Sequence, residues 1–441
     1  MKPIVAIVGR PNVGKSTFFN KIVGRRISIV EDTPGVTRDR IAAEAEWNGR
    51  DFLLIDTGGI EPDAKDFILS KMRIQAEIAM DTANVILFLV DGRAGVTAAD
   101  SDVATLLRRK GKDVILVANK IDTANLPDGF YDFYEFGLGH PFPISSTNQL
   151  GLGDLLDAIV EKFPAEADAP DDGDSVHIAI IGKPNVGKSS MVNAILGEER
   201  VIVSEEAGTT RDSIDTPFVK DGVRYVLIDT AGIRRRSRVS DDIEKYSVIR
   251  ALSAIERCDV ALLVIDAQDG VTEQDKKIAG LAHEAGKGII VVVNKWDLIP
   301  RETNTMRDYA RTVKQELQFM HYAPVLFTSV KKGQRLESVL QTATAVSEMR
   351  AMRVSTGQLN SLIADAMLMN NPPSDKGRRL KIYYAAQIGV KPPLFSFQVN
   401  DRELMHFSYA RYLENKIRDG YGFEGTSIKF VFREKKDREN G

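Results

Sequence analysis

Two short stretches of the chain place glycines, a lysine and a hydroxyl side chain at the same fixed offsets. Residues 7–17 read IVGRPNVGKST, and residues 180–190 read IIGKPNVGKSS. The pattern G-x-x-x-x-G-K-[S/T] after an apolar run is typical of a loop whose backbone N–H groups bind phosphate oxygens, helped by the positive end of the following helix. We predict that Lys15 and Lys188 neutralise the outer phosphates as catalytic residues and that Ser16 and Ser189 ligate Mg²⁺. The predicted contacts are Gly9, Arg10, Pro11, Asn12, Val13, Gly14, Lys15, Ser16 and Thr17 in the first loop and Gly182, Lys183, Pro184, Asn185, Val186, Gly187, Lys188, Ser189 and Ser190 in the second.

A carboxylate and a glycine follow each loop in a D-T-x-G stretch, LIDTGG at 54–59 and LIDTAG at 227–232. The aspartate ends an apolar run, where it can hold Mg²⁺ through water, and the glycine N–H can meet a third phosphate. A threonine in PGVTRD (34–39) or AGTTRD (207–212) can close over the metal when that phosphate is bound. We predict Asp56, Asp229, Thr37 and Thr210 as Mg²⁺ ligands, both threonines as catalytic, and Thr57, Gly58, Gly59, Ile60, Thr230, Ala231, Gly232 and Ile233 as nucleotide contacts.

The base is predicted to be chosen by VANKID at 117–122 and VVNKWD at 292–297. A carboxylate accepts hydrogen bonds from N1–H and the 2-amino group of guanine, and adenine offers no such pair of donors, so a site built around the carboxylate rejects adenine. These features together predict binding of GTP and GDP and hydrolysis of GTP by an activated water. We assign guanine recognition to Asp122 and Asp297, loop bracing to Asn119 and Asn294, ring contact to Lys120 and Lys295, and further contacts to Ile121, Trp296, Ser145, Ser146, Ser329 and Val330, although the last four also suit ordinary turns.

The landmarks of the two halves are displaced together. Gly9 and Gly182 lie 173 positions apart, and Asn119 and Asn294 lie 175 apart. Apolar runs at 4–9, 52–57, 85–91 and 114–120 predict strands buried on both faces, and residues 15–24 and 100–111 predict helices between them. The fold class is therefore α/β, with two tandem P-loop G domains, each a mostly parallel sheet with helices on both faces. Ligands bind beyond the carboxyl ends of such strands, where all the landmarks fall.

The chain divides by composition into four parts. We predict a first G domain at 1–163, an acidic flexible linker at 164–175, a second G domain at 176–349 and a small basic α+β module with a charged tail at 350–441. The last part shows the order α-β-β-α-β and holds 16 Lys or Arg against 10 Asp or Glu. Its strands interleave basic and aromatic residues, which suits RNA binding but is also the usual pattern of a strand core.

Bulk composition excludes several classes of protein. A chain of 441 residues with 43% apolar and 27% charged residues is typical of a multidomain globular protein. One cysteine, Cys258, allows no intramolecular disulfide, and its apolar surroundings favour a buried core thiol over a reactive one. The N-terminus reaches the first glycine loop too early for a signal peptide, and no apolar run approaches the ~18 residues of a membrane span. We expect a cytoplasmic protein.

The motifs GxPNVGKS, PGxTRD, DTxG and NKxD, each present twice, resemble those of the translation-factor-like GTPases. The doubled arrangement with a small basic C-terminal module resembles the Der family, also called EngA, of bacterial GTPases. The resemblance covers essentially the whole chain. It implies Mg²⁺-dependent GTP hydrolysis, a KH-like C-terminal domain, and a part in maturation of the large ribosomal subunit through contacts with its rRNA. We expect a monomer with neither a membrane nor DNA as a partner.

Some motif positions differ from those of other GTPase families. Ile60 and Ile233 stand where Ras-type enzymes carry a water-orienting glutamine, so slow intrinsic turnover is expected. Asn12 and Asn185 resemble the asparagine with which related GTPases hold K⁺, which suggests K⁺-stimulated hydrolysis; the alternative is an asparagine that braces the loop.

The letters GFEG at 422–425 precede the last strand, whereas KH domains clamp RNA with a G-x-x-G loop between two helices. This face of the module could instead pack on the G domains.

The two repeats also differ in local charge. RRRSRV at 234–239 follows the second D-T-x-G stretch, and the first repeat has EPDAKD at the matching place. The basic segment is either a solvated loop or a switch that meets RNA or another domain in one nucleotide state. Because the repeats are not interchangeable here, we hypothesise that one site regulates and the other drives a conformational change. Two further functions stay open: a GTPase acting on tRNA or another RNA enzyme, and a scaffold in which one G domain binds nucleotide only for structure.

Overall fold

The computed structural model describes most of the chain: residues 2–24, 42–57, 75–77, 79–108, 112–123, 125–164, 175–197, 202–203, 215–230, 244–300, 305–375 and 377–434. It comprises two compact units. The first contains Met1–Gly173 and Asp241–Glu256, and the second contains Asp174–Ser240 and Arg257–Gly441. The C-terminal module therefore belongs to the same unit as most of the second repeat.

The first unit is built on a six-stranded sheet of order β2-β3-β1-β4-β5-β6, in which β2 and β3 are antiparallel and the other neighbours are parallel. Its strands are β1 (Ile4–Val8), β2 (Ala42–Trp47), β3 (Arg50–Asp56), β4 (Val85–Asp91), β5 (Asp113–Asn119) and β6 (Phe142–Pro143). Its helices include α1 (Lys15–Val23), α2 (Ala98–Arg108) and α3 (Leu152–Glu161), and a 3₁₀ segment spans Asp128–Phe136.

The predicted strands and helices of this unit are confirmed. β1 is buried at every residue and β4 at all but its last, as expected for apolar strands covered on both faces by helices. Strand β2, with the sequence AAEAEW, is not predicted from apolar runs because its glutamates interrupt the pattern. It lies at the edge of the sheet, where one side of the strand meets solvent and charged residues are tolerated.

The second unit repeats this plan with a seven-stranded sheet of order β13-β12-β11-β7-β10-β9-β8, parallel except for the pairs β10–β9 and β9–β8. Its strands are β7 (Val176–Ile181), β8 (Ile202–Val203), β9 (Thr216–Lys220), β10 (Val223–Ile228), β11 (Val260–Asp266), β12 (Gly288–Asn294) and β13 (Val325–Phe327). The helices are α4 (Lys188–Leu196), α5 (Glu244–Arg257, most of which belongs to the first unit), α6 (Glu273–Glu284), α7 (Thr305–Glu316) and α8 (Leu336–Ala351), with short 3₁₀ turns at Trp296–Leu298, Gln318–Met320 and Val330–Lys332.

The C-terminal module has the predicted order α-β-β-α-β. Helices α9 (Thr356–Met369) and α10 (Phe407–Tyr421) cover a sheet of β16 (Ile382–Gly389), β17 (Leu394–Val399) and β18 (Lys429–Glu434), with a small hairpin β14 (Ser374–Asp375) and β15 (Arg378–Arg379) and a 3₁₀ turn at Arg402–Leu404. Phe395 and Phe397 on β17 are fully buried, so these aromatics form core. Tyr383 and Tyr384 on β16 are about half exposed (49% and 48%) and do not belong to that core.

Cys258 is buried, and burial raises the pKa of its thiol to about 11, as expected for a core cysteine. Among the helices in the described part of the chain, none is long and apolar enough to cross a bilayer.

Candidate functional site

The first phosphate loop wraps around the ammonium group of its own lysine. Loop residues 9–14 join β1 to α1, and Lys15 is the first residue of the helix. Its Nζ donates to the backbone oxygens of Gly9 and Arg10 at 2.6 and 2.8 Å. Burial lowers the pKa of Lys15 below its ordinary value, and the charge of nearby Asp56 opposes that shift. The ammonium group of Lys15 is thus held where phosphate oxygens would meet it.

Two loop positions require glycine because other atoms approach them closely. A Cβ on Gly9 would lie 2.3 Å from the backbone oxygen of Leu89, and one on Gly14 would lie 2.4 Å from Asn119 Nδ2. Gly14 also has a φ of 97°, in the region that disfavours other residues. The glycines of the motif therefore let the loop lie directly on β4 and on the base-reading segment.

The base-reading segment of the first site is locked to the phosphate loop by one amide. Asn119 Nδ2 donates to the backbone oxygen of Val13 at 2.8 Å, while its Oδ1 accepts from the N–H and hydroxyl of Ser146 at 3.0 and 2.9 Å. Ser145 Oγ donates to Asp122 Oδ1 at 2.6 Å. The asparagine thus joins three loops, and the serine orients the carboxylate predicted to read guanine.

The second site repeats these contacts. Lys188 Nζ donates to the backbone oxygens of Gly182 and Lys183 at 2.8 and 2.5 Å. Asn294 Nδ2 donates to the oxygen of Val186 at 2.8 Å, and its Oδ1 accepts from the N–H of Val330 at 3.2 Å.

Its base-reading carboxylate is oriented in the same way. Ser329 Oγ donates to Asp297 Oδ1 at 2.7 Å, and this hydroxyl lowers the pKa of Asp297. Trp296, inside NKWD, is buried with its ring centroid 4.4 Å from that of Phe327, and its aromatic packing fixes the base loop. The two sites therefore hold their base-selecting groups through equivalent bonds.

The sites differ in what surrounds the base carboxylate. In the first, the Arg93 guanidinium pairs with Asp122 and its Nε donates to the backbone oxygen of Lys120 at 3.0 Å. In the second, Gln268 stands at the equivalent position, and Lys332 Nζ lies 3.9 Å from Asp297 Oδ2. The carboxylates are equivalent in position but not in their cationic neighbours.

The residues present fit Mg²⁺. Ser16 Oγ donates to Asp56 Oδ2 at 2.9 Å, so a hydroxyl and a carboxylate oxygen meet beside the phosphate loop. Oxygen groups of this kind are the ligands that Mg²⁺ prefers. When bound, the ion would neutralise charge on the outer phosphates. In the second site, the corresponding aspartate, Asp229, has a φ of 56°, and its N–H donates to Asp215 Oδ1 at 3.0 Å. The backbone of Asp229 therefore differs from that of Asp56.

The remaining predicted contacts within the described residues are buried, hydrogen-bonded to neighbouring parts of the chain, or exposed at the rims of the sites. Val13 and Val186 are buried under their loops, and Ile121 is buried with its N–H donated to the oxygen of Ile144. Thr57 Oγ1 donates to the oxygen of Ile7 at 2.5 Å. Thr230 Oγ1 is hydrogen-bonded to Thr216 Oγ1 at 2.8 Å. Exposed positions at the rims are Pro11, Asn12, Thr17, Asn185 and Ser190.

Several predictions fall on residues outside the described part of the chain. They are Thr37, Gly58, Gly59, Ile60, Thr210, Ala231, Gly232 and Ile233, the segment 234–239, and most of the linker 164–175. Their proposed roles stay predictions.

Sequence reasoning missed the carboxylates that hold the lysines of NKID and NKWD. Lys120 Nζ donates to Asp91 Oδ2 at 2.7 Å, and Lys295 Nζ donates to Asp266 Oδ2 at 2.5 Å. Although burial opposes the shift, these ammonium groups lower the pKa of each aspartate. The sequence does mark these two aspartates as a repeated pair, because Asp91 and Asp266 are 175 positions apart, the same displacement as that of Asn119 and Asn294.

A second repeated feature, GVTAAD at 95–100 and GVTEQD at 270–275, was also missed. Thr272 caps α6 by accepting from the N–H of Asp275, whose carboxylate accepts in return from the N–H of Thr272 at 3.0 Å. Thr97 and Asp100 make the corresponding side-chain bond at 2.6 Å. Arg10 Nε lies 3.5 Å from Asp100 Oδ2, so this cap also supports the first phosphate loop.

The GFEG segment packs against the second G domain. The N–H of Ile289, on β12, donates to the oxygen of Gly425 at 2.6 Å, and the N–H of Gly425 donates to the oxygen of Tyr322 at 2.9 Å. A Cβ on Gly425 would lie 2.3 Å from Val346 Cγ2, and Phe423 is fully buried. The segment thus packs on the second G domain, which is the arrangement suggested for it in place of KH-style clamping.

Two family models match the two G domains and the C-terminal module of this chain. A family described as "50S ribosome-binding GTPase" matches residues 4–120 and 177–295, and one described as "KH-domain-like of EngA bacterial GTPase enzymes, C-terminal" matches residues 353–433. Among solved structures, the FeoB G domain of Methanococcus jannaschii aligns over 37% of this chain and 98% of its own, at 25% identity and a TM-score of 0.28.

Curated relatives match over almost their whole length. The protein named "GTPase Der" of Alkaliphilus oremlandii (strain OhILAs) is 60% identical over 99% of this chain and 100% of its own. That of Ruminiclostridium cellulolyticum is 57% identical over 100% of both chains. The chain therefore belongs to the Der (EngA) family of GTPases, enzymes that bind and hydrolyse GTP.

Proposed function

We propose that this GTPase is an assembly factor that acts in maturation of the large ribosomal subunit, and that the nucleotides at its two sites control the arrangement of its domains and its binding to ribosomes. The observation that carries the proposal is the duplication of the base-reading contacts, in which Asn119 and Asn294 each tie a phosphate loop to a guanine-selecting loop. Two such sites give four nucleotide combinations and hence more states than one switch. The description of the matching family as ribosome-binding supports the choice of partner.

The residue roles within this proposal follow the chemistry of the side chains. Lys15 and Lys188 neutralise the outer phosphates, Ser16 and Ser189 ligate Mg²⁺ directly, and Asp56 and Asp229 hold it through water. Asp122 and Asp297 accept the two guanine donors. The proposed domain limits remain 1–163, 176–349 and 350–441 with a linker at 164–175.

We include K⁺ stimulation of hydrolysis in the proposal. With isoleucine at 60 and 233, the side chain at these positions cannot orient a water, so an added cation is a reasonable source of transition-state charge stabilisation. Asn12 and Asn185 both have left-handed backbones, with φ of 66° and 63°, which asparagine tolerates better than most residues. This geometry also suits the alternative, a bracing asparagine.

The test compares GTP turnover in KCl and in NaCl at equal ionic strength, with wild type and with Asn12→Ala and Asn185→Ala. Faster turnover in KCl that is lost in an asparagine variant is expected. Equal turnover in the two salts removes the K⁺ hypothesis and leaves the bracing role.

The partner is tested by co-sedimentation of the full chain with separated ribosomal subunits under GDP, GTP and a non-hydrolysable GTP analogue. We expect nucleotide-dependent binding to the large subunit. Binding only to tRNA or to another RNA enzyme would favour the alternative, a GTPase that acts on tRNA or another RNA enzyme. We further propose a cytoplasmic monomer, for which light scattering without ribosomes should give the mass of one chain, with no membrane or DNA needed.

A further inference from the structure

A basic groove runs between helix α7 of the second G domain and helix α10 of the C-terminal module. Its volume is about 690 Å³, and its lining includes Arg307, Arg311, Lys314, His321 and Arg411. The other lining residues are three amide side chains and one alanine. Since one water takes up about 30 Å³ of liquid, the groove holds far more than a single hydrated ion.

The positive charge of the groove is concentrated on one face of α7. Arg307, Arg311 and Lys314 follow the spacing i, i+4, i+7, which places them on the same side of the helix. Like charges on one face of a helix repel one another and destabilise the helix. The charge of Arg311 is partly offset by Asp308 at 3.3 Å, but both side chains are exposed, and such an ion pair adds little to stability. Within the described residues, Arg307 and Lys314 form no ion pair.

The opposite wall is held in place by the module. Arg411 Nη2 donates to the backbone oxygen of Gln318 at 3.0 Å, and its guanidinium lies 5.8 Å from the centre of the Phe407 ring. This bond crosses between the two domains, so the width of the groove depends on their packing. The cations of α7 and α10 consequently converge on one channel.

We propose that this groove binds the phosphodiester backbone of RNA; the inference rests on the proposed function, which supplies RNA as the class of partner. Arginine and lysine are the main phosphate contacts in such interfaces, and the amides Gln315, Gln318 and Asn415 can bond 2′-hydroxyls or base edges. Eight of the nine lining residues carry a charged or polar side-chain group, whereas a small-molecule pocket is lined mainly by hydrophobic and aromatic side chains. A charged groove that is exposed along α7 suits a polymer instead.

The test compares the wild-type full chain with Arg307→Gln/Lys314→Gln and with a control, Arg224→Gln/Lys381→Gln, which removes two exposed charges outside the groove. Arg411 is left intact because its bond to Gln318 supports the domain packing. Binding to large ribosomal subunits is measured over a range of salt with a non-hydrolysable GTP analogue. A photo-crosslinking residue at Gln315 then reports what occupies the groove, and GTP turnover without ribosomes confirms that each variant is folded.

The groove variant is expected to bind about tenfold more weakly near 0.1 M salt, with a slope of log affinity against log salt shallower by roughly 1.4, because two phosphate contacts are lost. The control should match wild type, and the Gln315 crosslink should be to rRNA. Unchanged affinity and slope in the groove variant, or a crosslink only to a ribosomal protein, overturns the inference. If wild type binds no subunit, the proposed function fails, and the groove is then judged by binding of deproteinised rRNA to the same three proteins.

Discussion

At the scale of single residues, the base specificity that we propose depends on carboxylates whose positions are set by neutral hydroxyls. Ser145 and Ser329 each donate to the carboxylate proposed to bind the base, at 2.6 and 2.7 Å. One carboxylate oxygen is thereby occupied, and the group keeps its capacity to accept from guanine. The two serines, which the sequence marked only weakly, therefore orient the carboxylates through these hydrogen bonds.

Substitution of these carboxylates should change the preferred base. Asp122→Asn and Asp297→Asn retain an oxygen for the serine but place an NH₂ group against the guanine 2-amino group. We expect GTP affinity at the altered site to fall by about 100-fold or more, because one hydrogen-bond donor faces another, while xanthosine triphosphate, with oxygen there, gains affinity. Calorimetry should show tight GTP stoichiometry falling from two to one.

Asp102→Asn, at an exposed position on α2, is the matched control for the loss of a charge. Two tight GTP sites in either base-site variant would contradict the assignment of guanine recognition.

The phosphate loops should be intolerant of a single methyl group. In Gly14→Ala the new Cβ would meet Asn119 Nδ2 at 2.4 Å, whereas Gly49→Ala, with a φ of 76°, meets nothing within 4 Å. Both variants carry the backbone cost of roughly 1–2 kcal/mol, but only the first disturbs the asparagine that ties the loops. Titration with a fluorescent GDP analogue should show at least tenfold weaker binding at the first site in Gly14→Ala alone. Equal binding by the two variants would show that the contact does not matter.

At the scale of elements, the second G domain and the C-terminal module share a junction built on His283, Tyr322 and Arg418. His283 Nδ1 is hydrogen-bonded to the Tyr322 hydroxyl at 2.7 Å, and the Arg418 guanidinium lies 4.3 Å from the centre of the Tyr322 ring. A buried pair nearby, Arg350 Nη1 to Asp259 Oδ1 at 3.1 Å, anchors the end of α8. The second G domain and the C-terminal module are thus joined by polar contacts as well as by apolar packing.

This junction should weaken in acid. Burial, together with the charges of Lys429, Arg418 and His321, lowers the pKa of His283 to about 4 from its ordinary 6.5. Between these values the unfolded chain binds the proton and the folded chain does not, so the free energy of unfolding falls as pH drops from about 6.5 towards 4. The contribution to the free energy of unfolding that is lost over this range is on the order of 3 kcal/mol. Melting temperature measured against pH should fall less steeply in His283→Asn than in wild type; parallel curves would contradict the prediction.

At the scale of the whole molecule, the two sites are equivalent in architecture but not in surroundings. The second shares a compact unit with the C-terminal module, whereas the first belongs to the other unit. Arg93 beside Asp122 has Gln268 as its counterpart, and the segments after the D-T-x-G stretches carry opposite charge. These differences favour separate roles for the two nucleotides.

Disabling the sites one at a time should give different defects. Lys15→Ala and Lys188→Ala each remove the cation from one loop and should abolish hydrolysis there. We expect Lys188→Ala to reduce large-subunit binding several-fold more, because its site belongs to the unit that carries the basic groove and the module. Co-sedimentation under each nucleotide measures this. Identical binding losses would contradict a division of roles.

Much of each site was predictable because its chemistry uses local motifs. The phosphate loop and the NKxD segment each need specific residues within a few positions, and their repetition at a common displacement predicted two complete domains. The edge strand β2 could not be predicted from apolar runs, since an edge position tolerates the glutamates that interrupt its pattern. The common displacement of 175 positions marks Asp91 and Asp266 as repeated residues but does not show that they bind the lysines, because strand pairing brings each pair together across 29 positions.

The amino-acid sequence by itself determined that the chain has two guanine-nucleotide sites, because glycine, lysine, hydroxyl and carboxylate groups must stand at these offsets to bind a triphosphate and its base. Only the tertiary structure decided that GFEG is an internal contact of the module with the second G domain, and that α7 and α10 bring their cations to one groove. Those helices are about 100 residues apart in the chain, and only packing between domains makes them neighbours.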